Sequence, residues 1–155
     1  MQFGEITILL IEDPRGDTSI VEPMLLDCGI TREKLFTARN LSETLVHPAW
    51  AKSMDLVFLD LHLPDSTGIA TLEPVLDKAR GRVPIIILTE SDDRQLGESA
   101  IEWGAPDYLV KGVDASAQLA RILRYAQQRG RTQHSLHDSV QLFRNLFHEH
   151  AAITF

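Results

Sequence analysis

Five short apolar stretches recur along this chain, separated by segments with helical spacing, and their order constrains the fold more than any other feature. The central one lies within DLVFLDLHLPDSTG, Asp55 to Gly68. Leu56-Val57-Phe58-Leu59 has the length and composition of a strand buried on both faces. It ends on the carboxylate of Asp60, and the turn residues Pro64-Asp65-Ser66-Thr67-Gly68 follow shortly after. ITILLI (Ile6 to Ile11) reads as a central parallel strand ending on Glu12-Asp13. LFTA (Leu35 to Ala38) is a weaker strand. Pro84 opens Ile85-Ile86-Ile87-Leu88, which ends on Thr89-Glu90, and Asp107-Tyr108-Leu109-Val110 ends on Lys111-Gly112.

Between these runs the apolar period changes from strand to helix. Asp17-Thr18-Ser19 can cap a helix through Val21, Met24, Leu25 and Cys28, with Pro23 delaying or kinking it and Gly29 closing it. Asn40 or Ser42 caps a short helix that Pro48 distorts. A third helix spans about Ile69 to Ala79, with Pro74 near its first turns and Gly81 at its end. Ser91-Asp92-Asp93 caps a fourth, through Leu96, Ala100 and Ile101 to Gly104. Asp114 caps a fifth, carrying Leu119, Ile122, Leu123 and Ala126 until Gly130 breaks it. Strand and helix alternate five times, which predicts an α/β fold: a doubly wound parallel sheet with helices on both faces.

Composition narrows the classes. In 155 residues, 44% are hydrophobic, enough for a core, and no apolar run approaches the length of a membrane span. The single Cys28 excludes an internal disulfide and makes a reducing cytoplasm the default. A formal net charge of -7 argues against nucleic-acid binding by the whole chain, although Arg121, Arg124, Arg129 and Arg131 form a local basic run without a helix-turn-helix around it.

Polar groups therefore gather at the carboxyl ends of four strands: Glu12 and Asp13, Asp60, Thr89, and Lys111. Ligands of open α/β sheets bind at this edge. Clustered carboxylates without histidine or cysteine partners favour a hard cation such as Mg2+. A hydroxyl and an ammonium facing it suit phosphoryl oxygens, and a carboxylate there can be the nucleophile. Each residue alone has a plainer explanation: Asp13 as a helix cap, Thr89 as a strand-end hydroxyl, Lys111 as a solvated charge. Their joint occurrence at four strand ends favours the site.

The same residues resemble the receiver domains of two-component response regulators: Glu12-Asp13, Asp60 in LDLHLPDSTG, Thr89 after IIIL, and Lys111 in DYLVKG, across roughly Thr7 to Arg129. The resemblance implies a flavodoxin-like (βα)5 domain over residues 1–130 with a C-terminal helical extension. It implies Asp60 as phosphoacceptor, and Mg2+ held by Asp13, Asp60 and the backbone carbonyl of His62, with Glu12 assisting through water. Thr89 and Lys111 would bind the phosphoryl oxygens, and Tyr108 would report the state through its rotamer. The expected function is a cytoplasmic phosphorylation-dependent switch, charged by a histidine kinase or phosphotransfer protein. It would phosphorylate and dephosphorylate itself without being a stand-alone turnover enzyme.

Some positions depart from the common pattern. Glu90 stands where the family has a small residue, and its charge is expected to obstruct a phosphodonor. His62, two residues beyond Asp60, is expected to modulate phosphoryl lifetime, and Gly112 replaces a frequent proline. That His62 is not a second aspartate argues against a Mg2+-dependent phosphatase. A degenerate receiver acting as a constitutive dimerisation module is the alternative that Glu90 keeps open.

The basic last helix reads first as a helix with one apolar and one solvated face. Its functional reading is a signalling helix pairing in a homodimer. Residues 131–155 are expected to be a helical linker and the start of a PAS-like output domain, itself followed by a signalling enzyme, within a longer protein. His134, His137, His148 and His150 read as solvated.

Overall fold

The computed structural model describes residues 3–13, 20–90, 94–112 and 114–132, with the side chains of 130–132 left aside. Five strands form one parallel sheet: β1 (Ile8–Ile11), β2 (Leu35–Ala38), β3 (Leu56–Asp60), β4 (Ile85–Thr89) and β5 (Asp107–Val110). Their spatial order is β2-β1-β3-β4-β5, so the winding reverses between β1 and β3. The predicted doubly wound α/β sheet is observed.

Parity along the strands assigns the two faces. Ile8, Leu10, Leu56, Phe58, Ile86 and Leu88 face one way, against α1 (Val21–Asp27) and α5 (Ala115–Thr132). Leu9, Ile11, Val57, Leu59, Ile85 and Ile87 face the other way, where Leu72 and Val75 of α3 (Ile69–Ala79) and Ala100 of α4 (Arg94–Glu102) cover them. The continuous apolar runs follow from this, since neither face of a central strand meets water. Each such Leu, Ile or Phe contributes about 1.5–3 kcal/mol relative to remaining exposed.

Local chemistry sets most helix ends. Asn40 caps α2 (Leu41–Leu45), its Oδ1 accepting the Glu43 N–H at 2.7 Å. Helix α2 stops before Pro48, which instead opens a 3-10 turn over Pro48–Ala51. Helix α1 begins at Val21, only two residues before Pro23, where the missing N–H costs no internal bond. The proposed caps Asp17, Thr18, Ser19, Ser91, Asp92 and Asp93 lie outside the described residues.

Two helix ends differ from expectation. The left-handed residue that ends α3 is Arg80, at φ 50°, with Gly81 continuing the turn at φ 71°. Gly130 does not break α5, which runs through it to Thr132. A lone glycine costs a helix about 1 kcal/mol, less than the apolar face of α5 supplies. The four tail histidines and the PAS-like segment fall outside the described residues.

Candidate functional site

The strand order reverses between β1 and β3, which places a crevice at their carboxyl ends, and Glu12, Asp60, Thr89 and Lys111 come together there. Ile11 pairs with Leu59, so the next residues, Glu12 and Asp60, stand side by side at the carboxyl edge of the sheet. On the other flank Thr89 pairs with Val110, and the Lys111 N–H donates to the Thr89 carbonyl at 2.8 Å. This bond carries the lysine over the crevice.

Lys111 is not the solvated charge that its position alone suggested; it is 6% exposed. Its Nζ lies 3.5 Å from Glu12 Oε2, 3.6 Å from Asp60 Oδ2 and 3.8 Å from Glu90 Oε1. A buried ammonium among carboxylates offsets their mutual repulsion, and the pairing removes the cost of leaving it unpaired. Glu12 is as buried as the lysine. Glu90 stands at the rim, with more than a third of its side chain exposed.

Asp60 ends β3 partly buried, and its Oδ1 accepts the His62 N–H at 2.8 Å. Burial pushes its carboxyl above the ordinary range, against the pull of that N–H and of Lys111. The chain turns back beyond it in a small hairpin pairing His62–Leu63 with Ser66–Thr67. Gly68 then donates its N–H to the Leu61 carbonyl at 2.9 Å and adopts φ 66°, ψ -144°, a conformation open to glycine. This brings the loop into α3.

Thr89 is 3% exposed, and its hydroxyl has no hydrogen-bond partner among the described residues. A buried hydroxyl in that condition is costly, and a phosphoryl oxygen is the kind of acceptor that would satisfy it. Asp13 is partly buried beyond the end of β1. No three His, Cys, Asp or Glu side chains among the described residues are grouped to hold an ion. The Asp60 carboxylate, with Asp13 beyond the end of β1, fits the sparser set that Mg2+ takes, one or two carboxylates with several waters.

Tyr108 points to the α4 side of the sheet, partly buried. Its ring occupies the place that a side chain at Gly97 would need; a Cβ there would stand 2.7 Å from the ring. Burial, and then Glu98, push its phenol upward, while Arg94 pulls it down.

Three contributors escaped the sequence reading. Gly97 had a visible signal, a glycine inside a helical pattern. In the sequence Asp65 is turn punctuation, yet its carboxylate accepts the N–H groups of Leu41 at 2.8 Å and Ser42 at 3.0 Å, with the Ser42 hydroxyl at 3.0 Å. It ties the loop after Asp60 to the first turn of α2. Asp107 opens β5 as the pattern predicts, and it is 8% exposed with its carboxyl pushed up to about 6 by burial.

A doubly wound sheet with buried acid, hydroxyl and lysine at its carboxyl edge defines an α/β module built around an anion-binding site. The response regulator receiver domain profile matches residues 8–123, and the chain belongs to that family. It is 34% identical over 115 residues to the cell cycle transcriptional regulator CtrA of Caulobacter vibrioides, covering 74% of this chain and 48% of CtrA. It is 32% identical over 106 residues to the luminescence regulatory protein LuxO of Vibrio campbellii, covering 68% of this chain and 22% of LuxO. The chain thus spans less than half the length of either relative. Among solved structures it resembles the receiver domain of the sensor histidine kinase PA1611 from Pseudomonas aeruginosa PAO1. That match has 27% identity and TM-score 0.60, and covers 77% of this chain and 94% of that one. The PA1611 structure has a magnesium ion coordinated in its active site cleft.

Proposed function

We propose that this chain is a phosphorylation-controlled switch whose acceptor is Asp60. An Asp60 carboxylate oxygen forms a bond to phosphorus as the phosphorus–nitrogen bond of a phosphohistidine, on a kinase or phosphotransfer protein, breaks. The electron pair of that bond leaves with the imidazole nitrogen. The observation that carries this reading is the buried Lys111 ammonium, 3.6 Å from Asp60 Oδ2, on the strand register that also delivers the unsatisfied Thr89 hydroxyl.

Mg2+ would be held by Asp13, Asp60 and the His62 carbonyl, with Glu12 acting through water. It supplies charge neutralisation for the incoming phosphoryl oxygens. Lys111 leaves its place between carboxylates to pair with one phosphoryl oxygen, and Thr89 donates its hydroxyl to another. Movement of Thr89 and of Tyr108 then shifts the population between two arrangements of the face formed by α4, β5 and α5. The output carried beyond residue 130, PAS-like with a signalling enzyme after it, and a homodimer through α5 belong to the same proposal. So does a cytoplasmic setting; no described helix is long and apolar enough to cross a membrane.

A second reading, a constitutive interaction module, is favoured by one contact. Glu90 shares Lys111 at 3.8 Å, where it competes with a phosphoryl group for the same ammonium. Intact mass after incubation with acetyl phosphate and Mg2+ separates the two readings. One phosphate adduct that is lost in Asp60→Asn supports the switch. No adduct in the wild type, with an adduct restored by Glu90→Ala, supports the constitutive module.

A further inference from the structure

A groove of about 390 Å³ opens at the opposite end of the sheet from Asp60, beside the segments that lead into β3 and β4. Its floor includes the buried Met54 and Val83, its wall is Trp50, and Lys52, Lys78 and Arg82 stand around it. No carboxylate among the described residues lines it. The three cations are exposed and make no ion pair among the described residues. Lys52 Nζ also lies 5.8 Å from the centroid of the Phe36 ring, and in a chain of net charge -7 these three cations, which form no ion pair among the described residues, gather positive charge around one concavity.

The aromatic wall is set in advance. The Trp50 indole N–H donates to the Thr44 carbonyl at 2.7 Å, which fixes the ring while leaving it partly exposed. A fixed indole beside cations offers a flat stacking surface and phosphate contacts together. The volume lies within the range of small-molecule sites. We infer that this groove binds a phosphorylated aromatic small molecule of the nucleotide class, its base against Trp50 and its phosphates among Lys52, Lys78 and Arg82.

The site has a route to the rest of the molecule. The Arg82 carbonyl accepts from the Arg129 guanidinium at 2.9 Å, so the rim of the groove is tied to the last turns of α5. A ligand that draws Arg82 inward acts on the helix leading into residues 133–155. The inference is independent of phosphoryl transfer to Asp60 and is measured in the Asp60→Asn chain as well as in the wild type.

The test is a titration of the isotope-labelled 155-residue chain with ATP and GTP in the absence of Mg2+, followed by amide chemical shifts. Adenosine, inorganic phosphate and an acidic peptide are run in parallel. Saturable shifts are expected at residues 50–54 and 78–83, stronger for a nucleotide than for phosphate and absent for adenosine. The exposed pair Lys78→Gln and Arg82→Gln is expected to weaken binding by about tenfold or more, with an unchanged melting curve confirming the fold. The inference is overturned by an absence of shifts up to about 5 mM nucleotide. Equal binding of phosphate or of the acidic peptide overturns it too, as do shifts centred on Asp13, Asp60 and Lys111. Undiminished binding by the double variant would also sink it.

Discussion

The ring of Tyr108 lies over Gly97 so closely that a Cβ at position 97 would stand 2.7 Å from ring atoms Cγ and Cδ2. A glycine within α4 thus provides the seat for an aromatic residue on β5, the strand that leads into Lys111. Gly97→Ala gains about 1 kcal/mol of helix propensity and forces the ring off its seat at about 1–3 kcal/mol. The expected net effect is destabilisation in urea, reversed in Gly97→Ala combined with Tyr108→Ala. Additive effects in that double-mutant cycle would show that the two residues do not share the space.

Carboxylates around Lys111 make Mg2+ a stabilising ligand in the proposed site. Saturating Mg2+ at about a hundred times its dissociation constant is expected to stabilise the wild type by about 2.7 kcal/mol. Asp60→Asn removes one ligand charge, so it is expected to melt higher than wild type without metal and to gain much less when Mg2+ is added. A melting temperature equally responsive to Mg2+ in both chains would place the ion elsewhere.

Asp107 links stability to pH. Burial raises its carboxyl to about 6, against the Tyr108 N–H at 2.8 Å and the nearby Arg121. The folded state therefore holds this proton more tightly than the unfolded chain, whose value is about 3.9. Its contribution is fully present below pH of about 4 and is lost as pH rises to about 6, amounting to about 2–3 kcal/mol. Asp107→Asn keeps an oxygen for the Tyr108 N–H and removes the titration. Urea midpoints compared at pH of about 4.5 and 7 should fall less for Asp107→Asn than for wild type. Parallel changes would assign the slope to other groups.

Asp65 holds the first turn of α2 from a distance of more than twenty residues along the chain, through the Leu41 and Ser42 N–H groups. Hydrogen bonds, first those from the Leu41 and Ser42 N–H groups, hold its carboxyl below the usual range. Asp65→Ala is expected to speed amide exchange at Leu41 and Ser42 while leaving α5 protected. Unchanged exchange at both amides would show that Asn40 alone maintains the turn.

Local pattern reached far into this fold because parallel strands buried on both faces must be apolar throughout. LVFL and IIIL could therefore be located, and with them the polar residues ending each run. Asp60, Thr89 and Lys111 were legible as strand-end groups for that reason. Asn40 was legible as a cap because its partner, Glu43, is three residues away. The end of α3 at Arg80 was less so: the neighbouring glycine matched the usual signal, and the chain adopts the left-handed turn one residue earlier.

By itself the sequence determined the alternation of strands and helices and the chemical kinds of group carried by each strand end. These depend on side-chain periodicity and on bonds spanning a few residues. Only the tertiary structure decided that Lys111 is buried between Glu12 and Asp60, that Asp65 serves α2, and that Gly97 makes room for Tyr108. Each of these depends on register between elements distant in the chain, and distance through space is not a property of spacing along the sequence.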